Sequence, residues 1–110
     1  MIETFAALSD PTRLRIVSLL REGPQAVGAI AERLSLNQPQ ASKHLIVLKK
    51  AHLVDVEARA QQRLYRLDPA GLMAVHEWLE PYRRLWDARF IQMDEVIAQI
   101  MRDETQDRKD

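Results

Sequence analysis

Four side chains able to form hydrogen bonds with DNA bases lie close together in the sequence: Gln38, Gln40, Ser42 and Lys43. A glutamine amide can pair with adenine through two hydrogen bonds, and a lysine can bind guanine or phosphate. Ser42 can reach a base edge or a phosphate oxygen. In the first turns of a helix, these residue types fit base reading in the major groove of double-stranded DNA. The alternative interpretation is a solvated helix face.

The surrounding elements predict a helix-turn-helix unit. A short amphipathic helix is indicated by apolar residues at i, i+3, i+4 and i+7, namely Val27, Ile30, Ala31 and Leu34. After a turn over 35–37, Asn37 and Gln40 have the spacing of a capping box and start a second helix over 38–50. Its inward stripe is expected to contain Ala41, Leu45 and Leu48. On a helical wheel, Gln40 and Lys43 point away from that stripe, and Gln38 and Ser42 flank it.

Two further helices are predicted before this unit. The first is short and apolar, over 2–8. Asp10 can cap the second, and Pro11 fits its first position because the missing N–H has no partner there. This helix should run to about Arg21, and its apolar residues are spread too widely for a single stripe. We therefore expect it to be the buried central helix.

A β-hairpin wing is predicted over 53–67. The segments 53–57 and 63–67 alternate apolar and charged residues, as half-buried strands do, and the segment between them is polar. Arg59 and Arg63 lie at and beside the tip. They would hold phosphate or enter the minor groove, which gives affinity rather than sequence reading. The expected fold is mainly α with this small wing, a winged helix-turn-helix in the order α-α-α-α-β-β-α.

The C-terminal region, from Asp68-Pro69 onward, predicts helix with an apolar repeat. Apolar and aromatic residues recur at spacings of three and four, broken only where Arg89 occupies the expected position: Leu72, Val75, Leu79, Tyr82, Trp86, Met93, Val96 and Ile100. Pro81 must kink or split this helix. Since Trp86, Phe90 and Met93 would be an exposed patch on a monomer, we expect a homodimer reading a near-palindromic operator. The segment 103–110 is polar and is expected to fray.

Composition narrows the function classes. The 110 residues have zero net charge, but residues 1–66 carry about +4 and residues 67–110 about −4, which supports a DNA-facing half. No cysteine is present, which removes thiolate metal sites and suits a reducing cytoplasm. No export signal or membrane span is indicated, so we expect a cytoplasmic protein. No catalytic arrangement or phosphate-binding loop occurs, so the sequence predicts no enzyme and no cofactor.

The three histidines offer little for a metal ion. His44 is expected to be a partly buried packing residue. His52 falls where a helix C-terminus favours glycine, so it should serve local backbone geometry. His76 and Glu80 have i, i+4 spacing that can hold a metal, but two ligands are not a site. We therefore predict no metal site and keep a metal-responsive repressor with a non-standard site as an alternative.

Three stretches resemble the ArsR family of bacterial regulators: residues 8–16, residues 38–49 with their Gln38-Pro39-Gln40-Ala41-Ser42-Lys43-His44-Leu45 core, and residues 64–67. The resemblance implies a homodimeric repressor, released by an effector, whose N- and C-terminal helices form the interface. One winged-helix domain over 1–110 is expected, with a DNA-binding core over 9–68, dimerisation helices over 1–8 and 69–102, and a polar tail over 103–110. The interface residues carried over are Ile2, Phe5, Leu79, Tyr82, Trp86, Phe90, Met93 and Ile97.

The departures from the family favour its metal-independent branch. The helix over 27–34 lacks the cysteines of metal-sensing members, and Asp68 and His76 do not match the ligand pairs that other members use. The wing tip also lacks the usual glycine. The effector is unknown, and the aromatic residues Trp78, Tyr82 and Trp86 are the first place to look for an organic ligand. A winged helix that serves only as a protein–protein interaction module is the alternative of a different class.

Overall fold

The computed structural model describes the backbone of residues 1–109 and their side chains except those of 90, 91 and 106–109. Two compact units divide the chain, Met1–Glu77 and Trp78–Asp110. The helices and strands are α1 Ile2–Leu8, α2 Pro11–Leu19 with a 3-10 turn Leu20–Glu22, β1 Gln25–Ala26, α3 Val27–Leu34, α4 Gln38–Lys50, β2 Val54–Arg59, β3 Gln62–Leu67, α5 Pro69–Leu79, a 3-10 turn Glu80–Tyr82 and α6 Arg83–Lys109. None of the described helices is long and apolar enough to cross a membrane.

The sheet has three strands rather than the two that the sequence predicted. The two-residue strand β1 pairs antiparallel with β3, through Gln25 opposite Tyr65 and Ala26 opposite Leu64. The order is β1-β3-β2, so β3 is the central strand. A two-residue strand is too short to show alternation, and only its tertiary pairing defines it. The winged helix-turn-helix prediction is otherwise confirmed.

The core of the first unit lies between the helices and the root of the wing. Its fully buried side chains are Ile16, Ile30, Leu45, Leu48, Leu53 and Val54. α2 is central as expected, because it packs against α1, α3 and α4, but it is only partly buried: Ile16 is its one buried residue among those described and Leu14 is 47% exposed. A nine-residue helix that packs against α1, α3 and α4 still leaves one side open.

Asp10 caps α2 as predicted, with Pro11 in the first helical position. Its Oδ1 accepts hydrogen bonds from the backbone N–H groups of Arg13, at 3.1 Å, and Thr12, at 2.8 Å. The Arg13 N–H bond is the main cause that holds the pKa of Asp10 below its ordinary value of 3.8. Since the folded pKa is lowered, this cap stabilises the fold above the ordinary value and loses strength as the pH falls through the folded one.

The second unit differs from the sequence prediction at its end. Pro81 interrupts the helix within the 3-10 turn Glu80–Tyr82, so α5 and α6 are separate helices and the predicted break is confirmed. The frayed tail is not found, because α6 continues to Lys109. Side-chain bonds from Gln99 to Asp103, 3.0 Å, and from Thr105 to the carbonyl of Met101, 2.9 Å, span successive turns there. Polar composition alone does not end a helix whose residues still pair at i, i+4.

The end of α4 is joined to the start of α5 by main-chain hydrogen bonds. His52 adopts φ 58°, and the N–H groups of His52 and Leu53 bond back to Lys49 and Leu48 at 3.1 and 3.0 Å. This is a Schellman ending with histidine at the usual glycine position, which confirms the role expected for His52. The carbonyls of His52 and Leu53 then accept from the N–H groups of Gly71, at 2.8 Å, and Asp68, at 2.9 Å.

We expect Gly71→Ala to destabilise the protein by about 1–3 kcal/mol, because the new Cβ would lie 2.7 Å from the His52 carbonyl oxygen and 3.0 Å from that of Ala51. Gly28→Ala is the matched control. Its Cβ would meet the end of the Gln38 side chain at 3.3 Å, which can move, and alanine favours helix. Chemical denaturation of both variants measures the difference, and equal free energies of unfolding would contradict the close approach at Gly71.

Candidate DNA-binding surface

The turn between α3 and α4 fixes the direction in which α4 leaves the core. Ser35 adopts φ 57°, and the N–H groups of Ser35 and Leu36 return to Glu32 and Ala31 at 3.3 and 2.8 Å. The predicted capping box is present: Asn37 Oδ1 accepts from Gln40 N at 2.9 Å, and Gln40 Oε1 accepts from Asn37 N at 3.1 Å. Two orphan N–H groups at the start of α4 are thereby satisfied.

The outward face of α4 presents most of the predicted base-reading residues. The inward stripe of Ala41, Leu45 and Leu48 is buried as expected. Gln38, Gln40 and Lys43 are exposed, whereas Ser42 is half-buried beside the stripe.

Sequence reasoning missed one residue of this outward face. Ile46 is 56% exposed, one turn beyond Lys43. Its apolar side chain is suited to contact with thymine methyl groups. Val47, which is 39% exposed, instead borders a groove beside α1 together with Glu3 and Ala6. Only the polar residues had been considered as readers, although the helical period already put Ile46 opposite the buried stripe.

The two glutamines have different surroundings. Gln40 uses its Oε1 in the capping box, which leaves its Nε2 group to donate. Gln38 lies against α3, since a Cβ added at Gly28 would be 3.3 Å from Gln38 Nε2. The structure thus places both on the surface at the N-terminus of α4, but ties Gln40 to the backbone of its own helix.

Arg13 links α1, α2 and α4. Its Nε donates to the carbonyl of Ala7 at 2.6 Å, and Nη2 donates to Ala6 at 3.4 Å, at the end of α1. Nη1 lies 3.5 Å from Nδ1 of the half-buried His44 on α4. The Arg13 side chain is 19% exposed, so it acts as a packing and capping group rather than a DNA contact. His44 is the packing residue that the sequence predicted.

The register of the wing separates its two predicted phosphate-binding arginines. Arg59 is paired with Gln62, and Arg63 is paired with Ala58. Because side chains alternate along a strand and directly paired residues share a face, Arg59 and Arg63 lie on opposite faces of the hairpin. Arg63 shares the face that continues into the core through Tyr65, and Arg59 shares the outer face.

Charged side chains form a network on the outer face of the wing. Glu57 Oε1 lies 3.2 Å from Nε of Arg59, and Glu57 Oε2 lies 3.5 Å from Nη1 of Arg66. Asp55 Oδ2 lies 3.6 Å from Nη2 of Arg66. In contrast, Arg63 has no hydrogen-bond or ion-pair partner within the part of the chain that the structure describes.

The wing tip is formed without the glycine that such turns favour. Ala60 adopts φ 53°, the left-handed region that costs a residue with a Cβ about 1 kcal/mol. The strand pairing continues up to Arg59 and Gln62, so the turn contains Ala60 and Gln61. The tip is thus a tight two-residue turn despite its composition.

Most of the residues expected at a dimer interface are exposed. In the first unit, Ile2 is 81% exposed and Phe5 39%. In the second, Leu79 is half-buried and the large exposed side chains are Tyr82 45%, Trp86 37%, Met93 59% and Ile97 46%. The Phe90 side chain lies outside the described residues. Trp78 and Tyr82 are in contact, with ring centroids 5.2 Å apart and planes inclined by 46°.

Among the described side chains, no three His, Cys, Asp or Glu residues are placed to hold one metal ion. His76 lies in α5, and Glu80 begins the 3-10 turn that follows.

Known proteins resemble this chain over most of its length. Residues 8–57 match a family described as a helix-turn-helix domain. The HTH-type transcriptional regulator Rv2034 of Mycobacterium tuberculosis is 45% identical over 80 residues, 73% of this chain and 72% of that protein. The transcriptional repressor SdpR of Bacillus subtilis is 35% identical over 79 residues, 72% of this chain and 88% of that protein.

Solved structures of regulators are also similar to this chain. An ArsR-like transcriptional regulator from Rhodococcus sp. RHA1 has a TM-score of 0.68 at 30% identity, covering 86% of this chain and 90% of that one. The homodimeric winged helix-turn-helix DNA-binding domain of Mb0332 from Mycobacterium bovis has a TM-score of 0.61 at 32% identity, covering 73% and 77%.

The fold, the capped helix α4 and these relatives define a winged helix-turn-helix transcriptional regulator that binds DNA, not an enzyme. Within that class, the chain belongs to the ArsR family. It contains no cysteine, which is consistent with the cysteine-free branch that the sequence suggested.

Proposed function

We propose that this regulator is a homodimeric repressor that reads a near-palindromic operator, with α4 of each subunit in the major groove and the wings on flanking DNA. The observation that carries the proposal is the capped N-terminus of α4. Its buried stripe fixes the helix in the core, while Gln38, Gln40 and Lys43 remain exposed on the first turns. Side chains in the first turns of such a helix are the ones that reach base edges.

Base reading is assigned to the first two turns of α4. Gln40 donates from Nε2 while its Oε1 stays in the capping box, and Gln38 and Lys43 supply further donors. Pairing of Gln40 with adenine through both amide atoms would require its Oε1 to accept a second hydrogen bond beside that of the Asn37 N–H, which an amide oxygen with two lone pairs can do. Ser42, half-buried, is close enough to the helix surface for a phosphate or base contact.

The wing supplies affinity that does not depend on sequence. Arg63 and Arg59 are exposed near the tip and would approach phosphate from the two faces of the hairpin, Arg59 from its ion pair with Glu57. Phosphate contacts by arginine release counterions, so each one steepens the fall of affinity with salt.

We expect Gln40→Ala to relax the preference among operator variants by about 1–3 kcal/mol for each lost base contact. Arg59→Ala should instead weaken binding to all duplexes alike and flatten the salt dependence. Duplexes selected from random DNA by the purified protein provide the specific sites, and titrations at several salt concentrations give both quantities. If both variants lose affinity equally on selected and random DNA, α4 is not the reading helix.

Gln40→Glu is the control for the structural role of Gln40. Glutamate keeps the acceptor oxygen for the Asn37 N–H and so preserves the capping box, but it removes the Nε2 donor. Its free energy of unfolding should be at least that of the wild type, because a carboxylate in the first turn also favours the helix dipole, while its operator affinity falls. Unchanged operator affinity in a folded Gln40→Glu protein would contradict base reading by Gln40.

The dimer is proposed to form through the exposed apolar residues of α1 and of the helices after the wing. Ile2 is 81% exposed and Met93 59%, and Tyr82, Trp86 and Ile97 are exposed as well. So many exposed apolar side chains are typical of a surface that another protein covers. The related Mb0332 domain is homodimeric, and an isologous pair would present two copies of α4 to two half-sites.

We expect the wild type to sediment as a dimer at micromolar concentration, and Trp86→Glu to shift it toward monomer because a charge would be buried at the interface. Gln92→Glu, an equal charge change at another exposed position of α6, should leave the dimer intact. A folded wild-type monomer at micromolar concentration would contradict the proposal.

Release from DNA is proposed to be independent of metal ions. Soft ions require thiolates or clustered imidazoles, and the chain has no cysteine and three histidines on separate segments. Across a dimer, His76 and Glu80 could still supply two imidazoles and two carboxylates, a set that zinc accepts.

Zinc, nickel, cadmium and arsenite at modest excess should therefore leave operator binding unchanged. Calorimetric titration of zinc into the wild type and into His76→Ala measures any binding directly. Tight binding of one zinc per dimer, lost in His76→Ala and coupled to release of DNA, would overturn the metal-independent assignment. In its absence, the effector is an organic ligand, a partner protein or the concentration of the repressor itself.

A further inference from the structure

Glu57 occupies the centre of the charge network on the outer face of the wing. Its two carboxylate oxygens face different arginines, Oε1 toward Arg59 and Oε2 toward Arg66, at 3.2 and 3.5 Å. The Glu57 side chain is 31% exposed, whereas that of Arg59 is 68% exposed. The carboxylate is therefore the more enclosed member of the pair, and Arg59 is the member that DNA can reach.

We propose that Glu57 limits the affinity of the wing for DNA by competing with phosphate for Arg59. This inference rests on the proposed phosphate contact of Arg59. A phosphate must either replace the Glu57 carboxylate on the guanidinium or bind beside it. In the first case the ion pair is lost, and in the second two like charges are brought together. Both outcomes weaken binding by the same arginine.

The competition acts on one face of the wing alone. Arg63 lies on the opposite face and has no recorded partner in the described part of the chain, so its phosphate contact is not opposed by Glu57. Arg66 is held by Asp55 as well as Glu57, so it keeps a carboxylate partner when Glu57 is neutralised. Arg59 is thus the arginine that neutralising Glu57 would release.

This arrangement lowers affinity without changing the preference for one sequence over another. Phosphate contacts are the same on every sequence, whereas the contacts of α4 with bases are made only at the operator. A carboxylate that weakens a phosphate contact lowers affinity for all DNA and leaves base discrimination intact. Glu57 is a positioning residue that acts through Arg59.

The test uses the full-length protein and a random-sequence duplex, so that no operator is needed. Glu57→Gln should bind this duplex about two- to five-fold more tightly at low salt, the range expected when one exposed ion pair is removed. Its logarithmic salt dependence should steepen by about one phosphate contact. Asp55→Asn is the matched control: it removes a charge from the same face but leaves the pair of Glu57 and Arg59 in place. It should leave both quantities nearly unchanged.

The variants Arg59→Ala and Glu57→Gln/Arg59→Ala complete a double-mutant cycle. The gain from Glu57→Gln should vanish when Arg59 is absent. A gain that persists without Arg59, or an equal gain in Asp55→Asn, would mean that only total charge matters and would overturn the proposal. If Arg59→Ala weakens binding but Glu57→Gln does not strengthen it, Glu57 does not compete with phosphate, although Arg59 does contact DNA. If Arg59→Ala has no effect, the wing contact itself fails, and the inference fails with it.

Discussion

The architecture depends on a pair of main-chain carbonyls just after the end of α4. The carbonyls of His52 and Leu53 accept hydrogen bonds from the N–H groups of Gly71 and Asp68. These bonds join the two ends of the segment that forms the wing, between α4 and α5. Both roots of the hairpin, Val54 and Leu67, are thereby fixed next to the core. The left-handed conformation of His52 turns these carbonyls toward α5, and the missing side chain of Gly71 lets α5 approach them. Together with the burial of Leu53 and Val54, these hydrogen bonds position the wing relative to α4.

Charge within the wing is arranged more finely than the net values indicate. The first 66 residues carry about +4, but Arg59 and Arg66 on the outer face are largely neutralised by Glu57 and Asp55. Exposed ion pairs of this kind contribute about 0–1 kcal/mol to stability, so they stabilise the hairpin only slightly. Their larger effect is on the potential that an approaching polyanion meets. A wing with free positive charge on one face and compensated charge on the other is polarised toward its Arg63 side.

Local signals in the sequence predicted the parts of the fold that depend on local chemistry. The caps at Asp10 and Asn37, the break at Pro81 and the backbone role of His52 follow from the hydrogen-bonding capacity or φ range of single residues, and all are found. Strand β1 was missed because it exists through pairing with a distant strand. Arg59 and Arg63 lie on opposite faces because of the strand register, which cannot be predicted from a turn without glycine. The linking role of Arg13 could not be predicted either, because it depends on three helices that meet only in the folded protein.

The first turn of α4 shows why recognition and folding cannot be separated at this surface. The capping box satisfies two N–H groups of the helix start, and Gln40 serves both that box and the proposed contact with a base. No acidic residue lies in this first turn, although an acidic side chain there would stabilise the positive end of the helix dipole. The helix start therefore keeps a positive potential that no neighbouring carboxylate of its own turn offsets. A neutral amide box caps the helix while leaving that potential available to phosphate, which a glutamate at the same position would repel.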